Sequence, residues 1–451
     1  MKTRFLYLTL IIVISVMHWS CEKYLEEKPN KRISTPDKLS DLQGILDNYA
    51  VMNGQYPSAG ETSADDYYLN DASWSSSTER QRNLYLWQKY DVTTADWNPP
   101  YKVIFNANLI IETIPTLKLS DAEQTQANVI KGQALFLRSF YHLAVVQLFA
   151  TTYNNTNAAS QLGIPLKLVS DVEAKSVRPN LAETYAQILA DVKAAVRLLP
   201  NVSKAKYLAT KPAAWALLAR TNLLMGNYQD AALYADSCLQ VSSTLIDYNS
   251  VSTTATIPFA QFNDEVIYDC RTAVASVLAQ TKAKVDPVLY ASYASNDLRK
   301  TVFFKKNTDA TYAFKGNYTG LSTAVFFSGM ATDEVLLIRA ECKARLGLLG
   351  AAAGDLNTLL SKRYKTGTFS PYTFTNQAAA LSTVLLERRK ELLFRNLRWP
   401  DLKRLNQEPA QAITLSRTIK QVVYTLKPGD IRYVLPIDKT AIQLSGMEQN
   451  P

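Results

Sequence analysis

The sequence predicts a mainly α-helical fold, and three observations carry that reading. Only 15 of 451 residues are glycine, too few for a sheet protein that uses glycine in its many turns. Apolar residues recur at three- and four-residue steps through eight separate stretches, the spacing of one helix face. Two of the junctions between these stretches hold a glycine where a helix would end, at Gly226 and Gly347. With 47% hydrophobic residues the chain can bury a large core. The net charge of +9 is spread as singles and pairs rather than as a stripe, which argues against a nucleic-acid partner.

In chain order, Lys2 and Arg4 precede an apolar run from Phe5 to Val16, broken by Thr9 and Ser15, and Ser20 and Cys21 follow. This has the form of a secretory signal and is too short for a mature membrane span. Its end resembles a bacterial lipoprotein signal, cut before Cys21 so that this thiol takes the lipid. A lipobox usually has an aliphatic residue three positions before the cysteine; here that residue is His18. Loss of residues 1–20 leaves His142 as the only histidine, which excludes a site built from two imidazoles. Cys238, Cys270 and Cys342 match no metal knuckle or redox pair, and buried free thiols are expected.

The helical stretches lie near residues 100–114, 125–149, 180–199, 211–225, 229–240, 333–346, 350–362 and 377–397. Asn180 and Glu183 stand as a capping box for the third. The run from Ala134 to Ala150 is apolar nearly all round, so it should be interior, with His142 a satisfied core histidine. Gly226, Tyr228 and Ala231 are echoed by Gly347, Leu349 and Ala352, a spacing that resembles the turn of a tetratricopeptide repeat. The copies are 121 residues apart, so repeats would be interrupted by insertions.

Two segments differ in character. Residues 56–101 hold nine Tyr or Trp where the chain average predicts about three, set among Asp, Asn and Ser. Residues 286–327 mix tyrosines, including Tyr290, Tyr293 and Tyr312, with Asn296, Asp297, Arg299 and Asn307. Sugar rings present C–H faces that stack on Tyr and Trp, and their hydroxyls need amide and carboxylate partners. The ligand-binding candidates are therefore Asp66, Tyr67, Tyr68, Trp74, Tyr293 and Asn296, at the place where the two segments meet. Asp65 and Asp66 could accept hydroxyls or bind calcium, but lack the alternating acidic loop of a dedicated calcium site.

From Cys21 to Pro451 the chain resembles the SusD/RagB family of outer-membrane nutrient-binding lipoproteins. The resemblance rests on Tyr24-Leu25-Glu26, on Gln133 to Tyr141, on Gly163-Ile164-Pro165-Leu166, on Thr184 to Val192 and on Ala214 to Arg220. It continues through Asn296 to Arg299, Glu334 to Glu341, Glu387 to Leu392, Arg398 to Arg404, Leu435-Pro436-Ile437 and Gln449-Asn450-Pro451. Asn396, where many members have glycine, and Asp438, where a second proline is usual, depart from the pattern. The resemblance implies a scaffold of about four tetratricopeptide-like helix pairs carrying loops that hold nutrient. It also implies an outer-membrane lipid anchor at Cys21, facing the cell exterior, and a SusC-like TonB-dependent transporter as partner. The expected organisation is a signal peptide, 1–20, and one domain, 21–451. That domain divides into an N-terminal region, 21–245, with the 56–101 insert, and a C-terminal region, 246–451, with the 286–327 insert.

The expected function is capture of an oligosaccharide for that transporter, without catalysis, cofactor or metal. Two other readings stay open within or beside the family: a peptide ligand, and a glycoside hydrolase, for which 40 acidic residues are no evidence by themselves. A pure protein-interaction scaffold would suit the helix pairs but not the aromatic inserts. Arg388, Glu391, Arg395 and Arg398 fall at steps that would align them on one helix face as architecture. Trp399 is expected to leave the helical region before Pro400, which would open a short helix.

Overall fold

The computed structural model describes residues 36–89 and 94–450; the signal sequence, Cys21 and Tyr90 lie outside them. The eight periodic stretches are eight helices: α1 Asn98–Thr113, α2 Asp121–Phe149, α3 Leu181–Leu198 and α4 Lys211–Met225, then α5 Tyr228–Leu239, α6 Thr332–Arg345, α7 Leu349–Leu360 and α8 Gln377–Glu391. Each packs on the next along the chain. The pairs α4/α5 and α6/α7 turn at Gly226 and Gly347, both at φ +78°, a left-handed conformation that costs any residue with a Cβ. Ala231 and Ala352, both fully buried, let the paired helices close.

The long helix α2 is the axis of the main core, buried without a break from Gly132 to Val146. Polar groups on it must find partners or cost free energy. Arg138 reaches α3 with a bidentate pair to Asp191 at 2.7 and 2.8 Å and α1 through Asn108 Oδ1 at 3.0 Å. His142 departs from expectation: it is buried, but neither ring nitrogen has a hydrogen-bond partner among the described residues. Burial pushes its pKa down to about 3, with Arg138 adding to the shift, so the ring is neutral. Asn180 and Glu183 form the expected capping box on α3. Gly163 precedes it where a Cβ would lie 2.0 Å from Thr184 Oγ1. The three cysteines are free and buried.

The last periodic stretch does not run on to residue 397. Helix α8 stops at Glu391, and Phe394 and Asn396 turn the chain with φ of +57° and +58°. Arg388, Glu391, Arg395 and Arg398 therefore do not share one helix face. They go instead to Asp401, to Arg299 and Arg363, to Asp333 and to Asp65. Helix α9 then runs Arg398–Leu405, with Trp399 inside its first turn and fully buried. Pro400 fits that turn because no N–H is needed there. Lys403, buried on α9, donates to Gln147 O and Ala150 O and so caps the end of α2, while burial lowers its pKa to about 7.

Short antiparallel strand pairs fill the loop layer: β1 Tyr67–Tyr68 with β3 Lys284–Val285, β2 Val266–Tyr268 with β6 Met330–Ala331, β4 Phe304–Lys306 with β5 Tyr312–Phe314, and β7 Leu415–Ile419 with β8 Val422–Leu426. These loops build a second core of Tyr, Phe, Leu and Val side chains drawn from both aromatic segments, including Tyr67, Tyr85, Tyr293, Phe303, Phe314 and Tyr318. Beside it lies a buried charge network. Arg299 meets Asp297, Glu387 and Glu391; Arg363 meets Glu265 and Glu391; Arg395 meets Asp333.

Candidate ligand-binding site

The two aromatic segments meet through the β1–β3 pair, where Tyr67 faces Val285 and Tyr68 faces Lys284. The Asp286 N–H donates to Asp66 O at 2.9 Å and continues the contact. Alternation along β1 then sorts the candidates. Tyr67 points inward, 3% exposed, its hydroxyl donating to Thr62 O at 2.6 Å. Tyr68 points outward and is half-buried.

Three of the six candidates are buried and offer no exposed face. Tyr67 is one. Tyr293 is another, 1% exposed, with its hydroxyl on Lys390 O at 2.6 Å and the Arg299 guanidinium 5.6 Å from its ring. Asp66 is the third, fully buried, with Oδ1 on Arg389 Nε at 3.0 Å. Burial raises the Asp66 pKa against the pull of Arg389. These side chains are held by the tertiary core, which a count of aromatics cannot foresee.

The other three are reachable but do not converge. Trp74, on the short helix Asp71–Ser75, is half-buried, with Arg82 5.5 Å and the Lys420 ammonium 5.6 Å from its ring centroid. Asn296 is turned away toward the 364–368 loop, donating to Thr368 O at 3.1 Å. Tyr68 has a different set of neighbours. Asp309, beside it, raises its pKa after burial itself and pairs with Lys284 Nζ at 3.4 Å. Tyr290 and Tyr312 stack with centroids 3.6 Å apart and planes 17° from parallel, both half-buried, and the Lys300 ammonium lies 5.0 Å from the Tyr290 centroid.

A cleft of about 270 Å³ opens between β1, Asp286–Pro287 and β7; its lining includes Asp65, Tyr68, Asp286, Ser416 and Thr418. Helix Pro287–Ala291 joins this cleft to the tyrosine stack, since it contributes both Pro287 and Tyr290. Arg417, inward on β7, sits under the cleft 3.8 Å from the Tyr85 centroid and 4.6 Å from that of Trp87. The hairpin was not among the sequence candidates. Its one signal was the alternation Leu415, Arg417, Ile419, with a charged residue on the apolar side. Trp87 and Trp97, the other tryptophans of the first aromatic segment, are buried, 4% and 5% exposed.

The acidic groups Asp65, Asp66, Glu265, Asp333 and Glu391 are paired with arginines. Burial opposes ionisation of Asp65, but Arg398 and Arg389 hold its carboxyl well below the usual range. Glu265, Asp333 and Glu391 are the three acids among the described residues close enough to share an ion. Each also has an arginine: Arg363 lies 2.7 Å from both Glu265 and Glu391, and Arg395 2.8 Å from Asp333. A larger groove, about 780 Å³, lies elsewhere, between the start of α1, residues 165–176 and the C-terminal segment near Leu444.

Fold and site together define a helix-pair scaffold that carries a loop-built recess, lined by Tyr67, Tyr68 and Tyr85 among others. Residues 23–223 match the family model SusD-like_3, described as starch-binding associating with outer membrane, and residues 276–451 match the model of the SusD family. The chain belongs to the SusD/RagB family. It is 27% identical over 221 residues to SusD-like protein P2 of Formosa agariphila, a stretch covering 46% of this chain and 41% of that relative. The chain thus spans under half the length of this curated relative. In three dimensions it is similar to a putative sugar-binding protein from Bacteroides vulgatus, with TM-score 0.76, 20% identity, and coverage of 93% of this chain and 99% of that one. It is also similar to a laminarin-binding SusD-like protein, with TM-score 0.66, 17% identity, and coverage of 91% and 98%.

Proposed function

We propose that this chain is a surface lipoprotein that captures an oligosaccharide and passes it to a SusC-like TonB-dependent transporter in the outer membrane, without acting on the ligand chemically. The observation that carries this reading is the half-buried Tyr290–Tyr312 stack, joined through helix Pro287–Ala291 to the cleft that Tyr68 lines. Stacked phenol rings give a sugar C–H face a flat apolar platform, and Asp309, Lys284 and Lys300 supply hydrogen-bonding groups at its margin. Family membership and the sugar-binding descriptions of its structural relatives support it. Tyr68 and Trp74 keep their place as contacts, Trp74 at the far end of the hairpin; Asn296 acts only through the 364–368 loop. Residues 21–451 work as one unit, anchored by lipid on Cys21. No helix among the described residues is long and apolar enough to cross a membrane.

The test is titration of neutral oligosaccharides against Tyr290→Ala and Tyr312→Ala. Loss of one platform should cost about 1–3 kcal/mol, a tenfold to hundredfold weaker Kd, with the melting temperature nearly unchanged. Variants that bind as tightly as the parent would sink the site assignment. For anchoring, Cys21→Ala should release soluble protein and parent protein should incorporate labelled fatty acid. For the partner, mild extraction should recover a TonB-dependent channel with the parent chain.

A further inference from the structure

The β7–β8 hairpin closes with two residues, Lys420 and Gln421, between Ile419 and its partner Val422. Both turn residues have positive φ, +49° and +65°, the turn type that favours Asn-Gly and strains other pairs. The tip is held from outside: the Lys420 N–H donates to Asp71 Oδ1 at 2.8 Å, and the Lys420 ammonium rests over Trp74. In a two-residue hairpin the closing pair exchanges ladder bonds, and alternate residues follow it. Leu415, Arg417 and Ile419 thus turn their N–H and C=O toward β8. Ser416 and Thr418 turn theirs to the other edge, which pairs with no strand among the described residues. That edge is a wall of the cleft, since Ser416 and Thr418 both line it.

We infer that the free edge of β7 is the hydrogen-bonding wall of the ligand cleft, holding sugar hydroxyls through the main chain of Ser416 and Thr418, with Lys420 a displaceable cover on Trp74. The inference deepens the glycan reading and rests on it. A main-chain edge offers donors and acceptors in alternation about 3.4 Å apart, which suits hydroxyls that both give and accept. Arg417 anchors the strand from beneath, so the edge is fixed before a ligand arrives. The exposed lysine on Trp74 is weakly held, because a cation over an indole at the surface contributes only modestly. A second ring extending from the cleft along β7 would meet Trp74 in its place.

The matched test is Thr418→Pro against Val423→Pro. These residues face each other across the hairpin, and each substitution removes one outward N–H without breaking the ladder. Only the first acts on the cleft side. With laminarihexaose, maltohexaose and xylohexaose as probes, Thr418→Pro should weaken binding of the probe the parent takes about tenfold, and Val423→Pro by less than twofold. Equal effects, with Tyr290→Ala and Tyr312→Ala still weakening binding, would overturn the hairpin wall and leave the glycan reading standing. A parent that binds none of the three probes would overturn both. Should Thr418→Pro fail to fold, amide exchange in the parent decides: saturating ligand should slow the Thr418 amide and leave Val423 unchanged, and an unprotected Thr418 would refute the wall.

Discussion

The helix scaffold and the loop layer bury comparable chemistry in different ways. In the scaffold, Arg138 and Arg220 each meet a single carboxylate on another helix, Asp191 and Glu334, the latter at 2.6 Å. In the loop layer, Arg299 and Arg363 each bridge carboxylates from distant parts of the chain, and Glu391 accepts from both. The difference teaches what holds each region. Helices satisfy their own backbone and need only an apolar face, whereas irregular loops have few internal bonds and are tied together by arginines that each hold more than one carboxylate.

The largest effect should come from breaking that tie. Arg363→Met leaves Glu265 and Glu391 buried with a partner missing and should cost about 3–5 kcal/mol in urea unfolding, because an unpaired buried charge carries its full desolvation penalty. Arg138→Met orphans one carboxylate and should cost less; an equal loss would break the distinction between the two regions.

The regions should also answer pH in opposite senses. In the loop layer, burial and then Asp66 push the Glu61 pKa up to about 8. The folded state binds more protons than the unfolded between about pH 4.5 and 8, so this contribution to stability is lost as pH rises through that window. In the scaffold, His142 is lowered to about 3. The unfolded state then binds more protons between about pH 6.5 and 3, so stability is lost as pH falls across it. Each pH unit is worth up to about 1.4 kcal/mol per group. Unfolding free energies measured from pH 4 to 9 should flatten on the alkaline side for Glu61→Gln and on the acid side for His142→Leu. His142→Leu should also gain about 1 kcal/mol at neutral pH by removing unpaired ring nitrogens.

Smaller effects sharpen the scaffold side. Gly163→Ala forces Thr184 to move and should cost about 1–3 kcal/mol by thermal unfolding. Asn180→Ala, which removes the α3 cap, and Gly347→Ala, which strains the α6/α7 turn, should each cost about 1 kcal/mol.

Much of the scaffold could be read directly because its signals are local. The 3.6-residue period, the Asn180 and Glu183 cap and the glycines at 226 and 347 act within a few residues of themselves, so helix positions, two helix pairs and the interior place of α2 were legible. The end of α8 was not. Its apolar period continues toward residue 397, but the Asn396 N–H is drawn to Glu61 Oε2 at 2.7 Å, across 335 residues, in the segment where the chain turns. The candidate site divides in the same way. Aromatic enrichment marked the two segments that meet at the β1–β3 pair, since composition reports what a segment is made of. Which rings face outward was decided by β1 pairing with β3, which turns Tyr67 inward and Tyr68 outward, and by packing that buries Tyr293 while leaving Tyr290 on Tyr312. Exposure of a side chain is a property of everything packed around it, and those neighbours come from positions that no local spacing connects.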